Sequence, residues 1–156
     1  MKKLTTIFAA VAMFISTSAF AYSGEKVNDA VKTAFERNFS GAQNVTWQKT
    51  DEFYFAHFEL NKDDIAVAYN EQGLLVGTSH IISRDQLPEA VAKSLKENYG
   101  EYQVSLSVTE INLDGEISYY LTADSKRNTL RLKSSADGNI EVEKRTKKKV
   151  LVGRVY

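Results

Sequence analysis

Alternation of apolar and polar side chains marks residues 52–79 as the most strongly patterned part of the chain. Between Glu52 and Leu60 both sets of alternate positions are rich in aromatic residues, and a period of two indicates a β-strand. The segments 61–64 (NKDD) and 70–73 (NEQG) are turn signals that separate this stretch from two further alternating runs. The pattern therefore predicts an antiparallel meander.

A second period, of three to four residues, precedes the meander and recurs after it. Apolar residues at these steps predict one helix from about Gly24 to Phe39. A second helix is predicted to open within Ser83–Pro88, because Asp85 or Ser83 can cap it and proline suits a first turn. Gly100 is predicted to end that helix.

Eight strands are predicted in all, each an alternating run bounded by turn residues. They are Asn44–Lys49, Glu52–Leu60, Asp64–Asn70, a run that starts after Gly73 and ends at about Ile82, Gln103–Asn112, Glu116–Asp124, Asn128–Ser134 and Asn139–Lys144. Asp114-Gly115 and Asp137-Gly138 are strong signals for tight turns between the later strands. Short strands joined in this way indicate hairpins.

The two halves of the chain follow the same order of elements. Val31 and Val91, at matching places in the two helices, are 60 residues apart, and the turn glycines Gly73 and Gly138 are 65 residues apart. This match predicts two tandem repeats, each a helix followed by four strands. A chance similarity between two amphipathic helices is the alternative explanation.

Residues 1–21 differ from the rest of the chain. Lys2-Lys3 supply positive charge, a short apolar stretch follows, and Ala19-Phe20-Ala21 fits the small-x-small rule for cleavage. The apolar stretch is shorter than the roughly 20 residues that a membrane-spanning helix needs. We therefore expect a secretory signal peptide that is cleaved near Tyr22, with an uncleaved membrane anchor as the alternative.

Residues 146–156 form a basic and then apolar tail after the last predicted strand. A frayed strand end with solvated lysines is the simpler interpretation, because chain termini commonly fray. An edge strand or a contact with an anionic surface is the alternative.

Composition narrows the function. The chain is 43% hydrophobic and 26% charged, which is typical of a globular protein, and its formal net charge is zero. A nucleic-acid-binding domain usually has a basic excess, so we expect no nucleic-acid partner. The chain has no cysteine, which excludes disulfides, thiol catalysis and thiolate zinc sites.

The sequence has no recognisable catalytic or metal-binding motif. Its two histidines, His57 and His80, are predicted on strands separated by a third strand, and no carboxylates surround them at ligand spacing. There is no Gly-x-Ser-x-Gly segment and no glycine-rich phosphate loop. We therefore expect no enzyme activity, no cofactor and no bound metal.

Three segments carry a resemblance to a known family: 39–47 (FSGAQNVTW), 54–58 (YFAHF) and 68–75 (AYNEQGLL). Over about residues 24–145 the chain resembles the PepSY-like periplasmic proteins, which are similar in fold to beta-lactamase inhibitor protein. The resemblance implies an α+β fold of two α-β4 repeats, residues 22–83 and 84–145, forming one curved antiparallel sheet with the helices on one face. It also implies a periplasmic location. Inhibition of a protein partner comes only as an analogy, and this chain lacks that inhibitor's cysteines.

The sheet face away from the helices is the predicted binding surface. We expect Phe53, Phe55 and His57 to point outward from the second strand, with Tyr120 and Arg131 on the same surface in the second repeat. A row of exposed aromatic residues favours a protein or peptide partner in the cell envelope. Coverage of this face by the other repeat or by the tail is the alternative. A small-ligand carrier and an uncharacterised envelope hydrolase are the alternative functions.

Overall fold

The structure of the protein, a computed structural model, describes residues 27–50 and 52–148. Within these ranges two α-helices accompany nine strands of one antiparallel sheet, so the fold class is α+β. The chain divides into two compact units. Of the described residues, the first contains those up to Ile81 together with Ile111–Glu116, and the second contains Ile82–Glu110 and those from Ile117 to Lys148. The predicted signal peptide, helix residues 24–26 and tail residues 149–156 lie outside the described residues.

The first helix, α1 (Asp29–Asn38), begins later than the apolar period predicts. Asn28 has an extended backbone and acts as the N-cap, since its side-chain oxygen accepts a hydrogen bond of 2.8 Å from the Val31 amide. Its amide nitrogen also donates to the Glu71 carbonyl at 2.9 Å. With these two hydrogen bonds, the Asn28 side chain links the start of α1 to the turn at Glu71.

The first unit continues with four consecutive antiparallel strands: β1 (Gln43–Lys49), β2 (Phe53–Leu60), β3 (Asp63–Asn70) and β4 (Leu75–Ser83). Alternate residues of β2 and β3 form the core beneath α1, as the alternation predicts. The members of this core that lie on the strands are Tyr54, Ala56, Phe58, Val67 and Tyr69. The register places Tyr54 opposite Tyr69 and Ala56 opposite Val67.

Aromatic rings dominate this core. The Phe35 ring of α1 meets the Phe58 ring of β2 edge-on, with centroids 5.0 Å apart, and meets Trp47 of β1 at 5.1 Å. Phe39, just beyond the helix, lies 4.9 Å from Phe58. Tilted and edge-to-face pairs at such distances add stability beyond the area that the rings bury.

The second unit opens differently from the sequence-based expectation. Arg84–Gln86 form a separate turn of 3-10 helix, in which the Gln86 side chain accepts a hydrogen bond from the Ser83 amide. The helix itself, α2 (Glu89–Tyr99), begins only after Pro88. Ser83 and Asp85 therefore belong to the 3-10 turn and not to the cap of α2, because their own turn already uses their hydrogen-bonding groups.

Five strands follow α2: β5 (Gln103–Val104), β6 (Ser107–Leu113), β7 (Glu116–Asp124), β8 (Asn128–Ser135) and β9 (Ile140–Lys147). The prediction of one strand over 103–112 is wrong, since Ser105 interrupts it. The Ser105 amide donates to the Thr122 carbonyl, while its hydroxyl donates to the Ser107 carbonyl. β9 also runs three residues further than predicted, because its backbone stays paired with β8 as far as Lys147.

In each unit a turn glycine lies against the backbone of the helix. Gly73 has a φ of +76°, and a Cβ atom there would stand 2.7 Å from the Ala30 carbonyl oxygen. Gly138 has a φ of +87°, and its Cβ would stand 2.6 Å from the Ala90 carbonyl oxygen. The left-handed conformation and the short distance both require glycine at these two positions.

Candidate functional site

The face of β2 that points away from α1 carries three of the five predicted binding residues. Phe53, Phe55 and His57 alternate along β2 with the core residues beneath the helix, and none of the three belongs to that core. The rings of Phe53 and Phe55 are in edge-on contact, with centroids 6.4 Å apart. The predicted direction of these side chains is therefore the direction in the structure.

Their predicted exposure is correct only in part. Phe53 and His57 are partly exposed, whereas Phe55 is 1% exposed. β2 has a paired strand on both sides, and Phe55 lies opposite Gln48 of β1 and Ala68 of β3. The expectation of an exposed Phe55 is wrong, because its side chain is buried although Phe53 and His57 on the same strand are partly exposed.

His57 is a titratable group on this face. Burial lowers the pKa of its imidazole below the ordinary value of 6.5, and the carboxylate of Asp64 raises it by a smaller amount. The neutral imidazole is therefore the form that the folded chain favours near neutral pH.

This pKa shift predicts a dependence of stability on pH. Because the folded pKa of His57 is depressed, the unfolded chain takes up the proton first as the pH falls through about 6.5. The free energy of unfolding should decrease from about pH 8 to about pH 5, and His57→Gln should make this decrease smaller. Urea unfolding of both proteins across that range measures the difference. Parallel curves for the two proteins would contradict the assignment.

Tyr120 and Arg131 lie together in the second unit. Tyr120 alternates along β7 with core residues beneath α2, and Arg131 does the same along β8. Because Lys133 is opposite Tyr120 and Thr122 is opposite Arg131, the two predicted residues are diagonal neighbours on the face away from α2.

Their environments differ. Tyr120 is 5% exposed, and the Lys133 ammonium lies 6.0 Å from the centre of its ring, so the expectation of an exposed Tyr120 is also wrong. Arg131 is exposed, and its partner on β9 is another cation, Lys144. Cations directly opposite each other repel, so this part of the face favours an anionic contact.

The described residues contain no cluster of side chains of the metal-binding kind. Within residues 27–50 and 52–148 no group of three or more His, Asp or Glu side chains lies close enough to hold a metal ion. His57 is opposite Ala66 of β3, and His80 of β4 is opposite Ile65, so β3 separates the two histidines as predicted. In the same part of the chain neither helix combines the length and the apolar character that a bilayer crossing requires.

Sequence reasoning missed two grooves, one in each unit, beside the end of the helix. The groove of the first unit has a volume of about 530 Å³ and is lined by Phe35, Phe39 and Trp47 with Lys32 and Glu36 at its wall. The groove of the second unit has a volume of about 460 Å³ and lies between α2 and the segment around β5. The sequence carries no signal for the second groove, because Leu106 between two serines fits the alternation of a continuous strand.

Comparison with known proteins identifies the fold. A presumed periplasmic protein from Bacteroides eggerthii superposes with a TM-score of 0.65 at 17% identity, over 79% of this chain and 90% of its own. A BLIP-like protein from Bacteroides fragilis gives 0.64 at 18% identity, over 84% of this chain and 96% of its own. The chain has a BLIP-like fold.

A third likeness agrees. A DUF2874 family protein from Bacteroides ovatus gives a TM-score of 0.64 at 20% identity, over 80% of this chain and 89% of its own. No family model and no curated protein matches the chain. At these identities the similarity lies in the fold, and function has to be argued from the side chains.

Proposed function

We propose that the chain is an exported, periplasmic and non-enzymatic binding module that holds a protein or peptide through the sheet face away from its helices. One observation carries the proposal. In each unit the helix covers one face of the strands, while aromatic or arginine side chains, which are enriched at protein interfaces, lie on the other face. Phe53 and His57 in the first unit and Arg131 in the second are at least partly accessible there. Phe55 and Tyr120 lie on the same face, but their side chains are buried and would only support the accessible residues.

The periplasmic part of the proposal draws on the likeness to the presumed periplasmic protein from Bacteroides eggerthii. It also draws on the features of residues 1–21, which in this proposal are removed on export. Binding of a protein partner draws on the likeness to a BLIP-like protein. The residues of segments 39–47, 54–58 and 68–75 support membership of the PepSY-like family as part of the same proposal.

We further propose that the chain arose as two tandem α-β4 repeats, residues 22–83 and 84–145, followed by the tail 146–156. In this proposal the two-residue strand β5 is an addition to the second repeat, and the first two residues of the tail extend β9. The support is the repeated approach of a turn glycine to the second residue of a helix. Gly73 lies against Ala30 in one unit, and Gly138 lies against Ala90 in the other. The 60-residue spacing of the two alanines equals the spacing of Val31 and Val91.

A pull-down from the periplasm of the native host tests the binding surface. The bait is the exported protein, beside a variant that combines Phe53→Ser with Arg131→Glu. We expect the wild type to retain a saturable partner whose affinity falls at least tenfold in the variant, since contacts at an interface centre carry most of the binding energy.

The matched control combines Leu74→Ser with Lys62→Glu. Leu74 is 63% exposed in the turn before β4, and Lys62 lies in the turn between β2 and β3. This control should keep the partner, and thermal unfolding should show that both variants remain folded. If the variant with Phe53→Ser and Arg131→Glu retains the partner at full affinity, the proposed binding surface is wrong.

A further inference from the structure

The groove of the second unit has the size and lining of a small-ligand site. Its volume of about 460 Å³ lies within the range of about 300–1,000 Å³ that small-molecule sites occupy. It runs along the last turns of α2 and the segment that leads into β6. Apolar side chains form most of the lining, namely Ala92, Leu95, Tyr99, Tyr102, Val104 and Leu106.

Leu106 stands out at the rim of this groove. It is 71% exposed, the highest exposure among the large apolar side chains of the described residues that are exposed. A large apolar side chain beside an apolar groove gains stability when a ligand covers both. The position is fixed, since the Leu106 carbonyl accepts a hydrogen bond of 2.8 Å from the Arg84 amide.

Arg84 is held at the groove by a second bond. Its Nη1 donates to the Val104 carbonyl at 3.0 Å, so the guanidinium is anchored to β5. A guanidinium has five N–H donors in a planar fork, and this bond uses one of its nitrogens. The remaining donors are therefore pre-positioned for a planar, bidentate acceptor such as a carboxylate.

The charges around the groove favour an anion. Arg84 and Lys96 line it, and within residues 27–50 and 52–148 neither forms an ion pair with a carboxylate. Asp85 also lines the groove, and hydrogen bonds from the Ser83 side chain and from its own backbone amide lower the pKa of its carboxyl, with a smaller contribution from the charge of Arg84. The lining thus carries two cations and one carboxylate that is already hydrogen-bonded.

We propose that this groove binds a carboxylate that is joined to an apolar chain. The carboxylate pairs with Arg84, with Lys96 adding to the positive potential, while the apolar chain lies over Leu95 and Val104 and beneath Leu106. A free fatty acid and the C-terminus of a peptide that ends in apolar residues share this chemistry. None of the five residues of the proposed sheet-face site lines the groove, so the two proposals fail independently.

The corresponding groove of the first unit is a built-in control. It is of similar size, about 530 Å³, and its apolar lining is more aromatic. Its two charged residues, Lys32 and Glu36, have opposite sign, and no arginine lines it. A ligand that responded to apolar surface alone would therefore bind both grooves, whereas a carboxylate should prefer the second.

Titration followed by amide NMR spectra tests the proposal on the exported protein. The probes are sodium octanoate, 1-octanol and octylammonium chloride, together with the peptide acetyl-Ser-Gly-Val-Leu as its free acid and as its amide. We expect saturable shifts of the amides of Lys96, Tyr99 and Leu106 with octanoate or with the free acid, and at least tenfold weaker binding of the neutral and cationic counterparts. Binding of octanoate alone would identify a fatty-acid site, and stronger binding of the peptide acid a C-terminus site.

Single substitutions distinguish a loss of binding that is caused by a lost charge from one that is caused by unfolding. Arg84→Gln should weaken binding of the carboxylate at least tenfold, Arg84→Lys less, because lysine keeps the charge but not the fork. Lys32→Gln in the other groove should leave the affinity unchanged. Equal affinities for octanoate and 1-octanol, no saturable shift with any carboxylate, or unchanged binding in folded Arg84→Gln would each overturn the proposal.

Discussion

Gly138→Ala is expected to lower the free energy of unfolding by about 3 kcal/mol, one of the two largest losses that we predict for a single substitution. Two costs combine. Holding a non-glycine residue at a φ of +87° costs about 1–2 kcal/mol. The new Cβ would also stand 2.6 Å from the Ala90 carbonyl oxygen and 2.8 Å from its carbonyl carbon, which belong to the backbone of α2. Relieving such overpacking costs a further 1–3 kcal/mol or so.

Gly115→Ala is the matched control. Gly115 has the same φ of +87°, but a Cβ there meets nothing within 4 Å, so only the conformational cost of about 1–2 kcal/mol remains. Urea unfolding of both variants and the wild type measures the two losses. Equal losses would show that the turn moves away from α2 at no cost, and the close approach would then have no role in stability.

Phe58→Ala is expected to cost about 3–5 kcal/mol, the range for deleting a buried phenylalanine side chain. Phe58 is 4% exposed, and its ring lies 5.0 Å from that of Phe35 and 4.9 Å from that of Phe39. The substitution removes the ring that joins α1 to the middle of β2, and leaves a cavity that the two remaining rings fill only in part.

Phe53→Ala on the same strand provides the comparison. Phe53 points to the other face, is partly exposed and, among the described residues, has one ring neighbour, Phe55, at 6.4 Å. We expect a loss of about 1 kcal/mol there, as for most substitutions outside a core. Chemical unfolding of the two variants and the wild type measures both losses of unfolding free energy. A loss for Phe53→Ala as large as that for Phe58→Ala would show that Phe53 is part of the buried structure, as Phe55 is, and would remove the basis of the proposed binding surface.

Much of the local structure was predictable. The alternation groups Tyr54, Ala56 and Phe58 on one face, opposite the three residues expected to point outward, and the structure places this group in the core beneath α1. The Asp114-Gly115 turn was also predictable. Both residues have positive φ, and few residues other than glycine, asparagine and aspartate adopt that conformation readily.

For the candidate site, the sequence predicted the direction in which the side chains point but not how exposed they are. The alternation placed Phe55 and Tyr120 on the face away from the helices, yet both rings are buried. The period of a strand says which way a side chain points and not what lies beside it. The groove of the second unit was missed because it needs Arg84, Lys96 and Leu106 from three separate segments.

The sequence by itself determined which residues of a strand share a face, where the tight turns lie and which thiol chemistry is excluded, because these depend on residue type and on neighbours along the chain. Only the tertiary structure decided where α1 begins, how deeply Phe55 is buried and why Gly138 must be a glycine. Asn28 reaches Glu71, and Gly138 meets Ala90, across more than 40 residues of chain. Contacts between residues so far apart leave no period in the sequence, because they depend on how the elements pack.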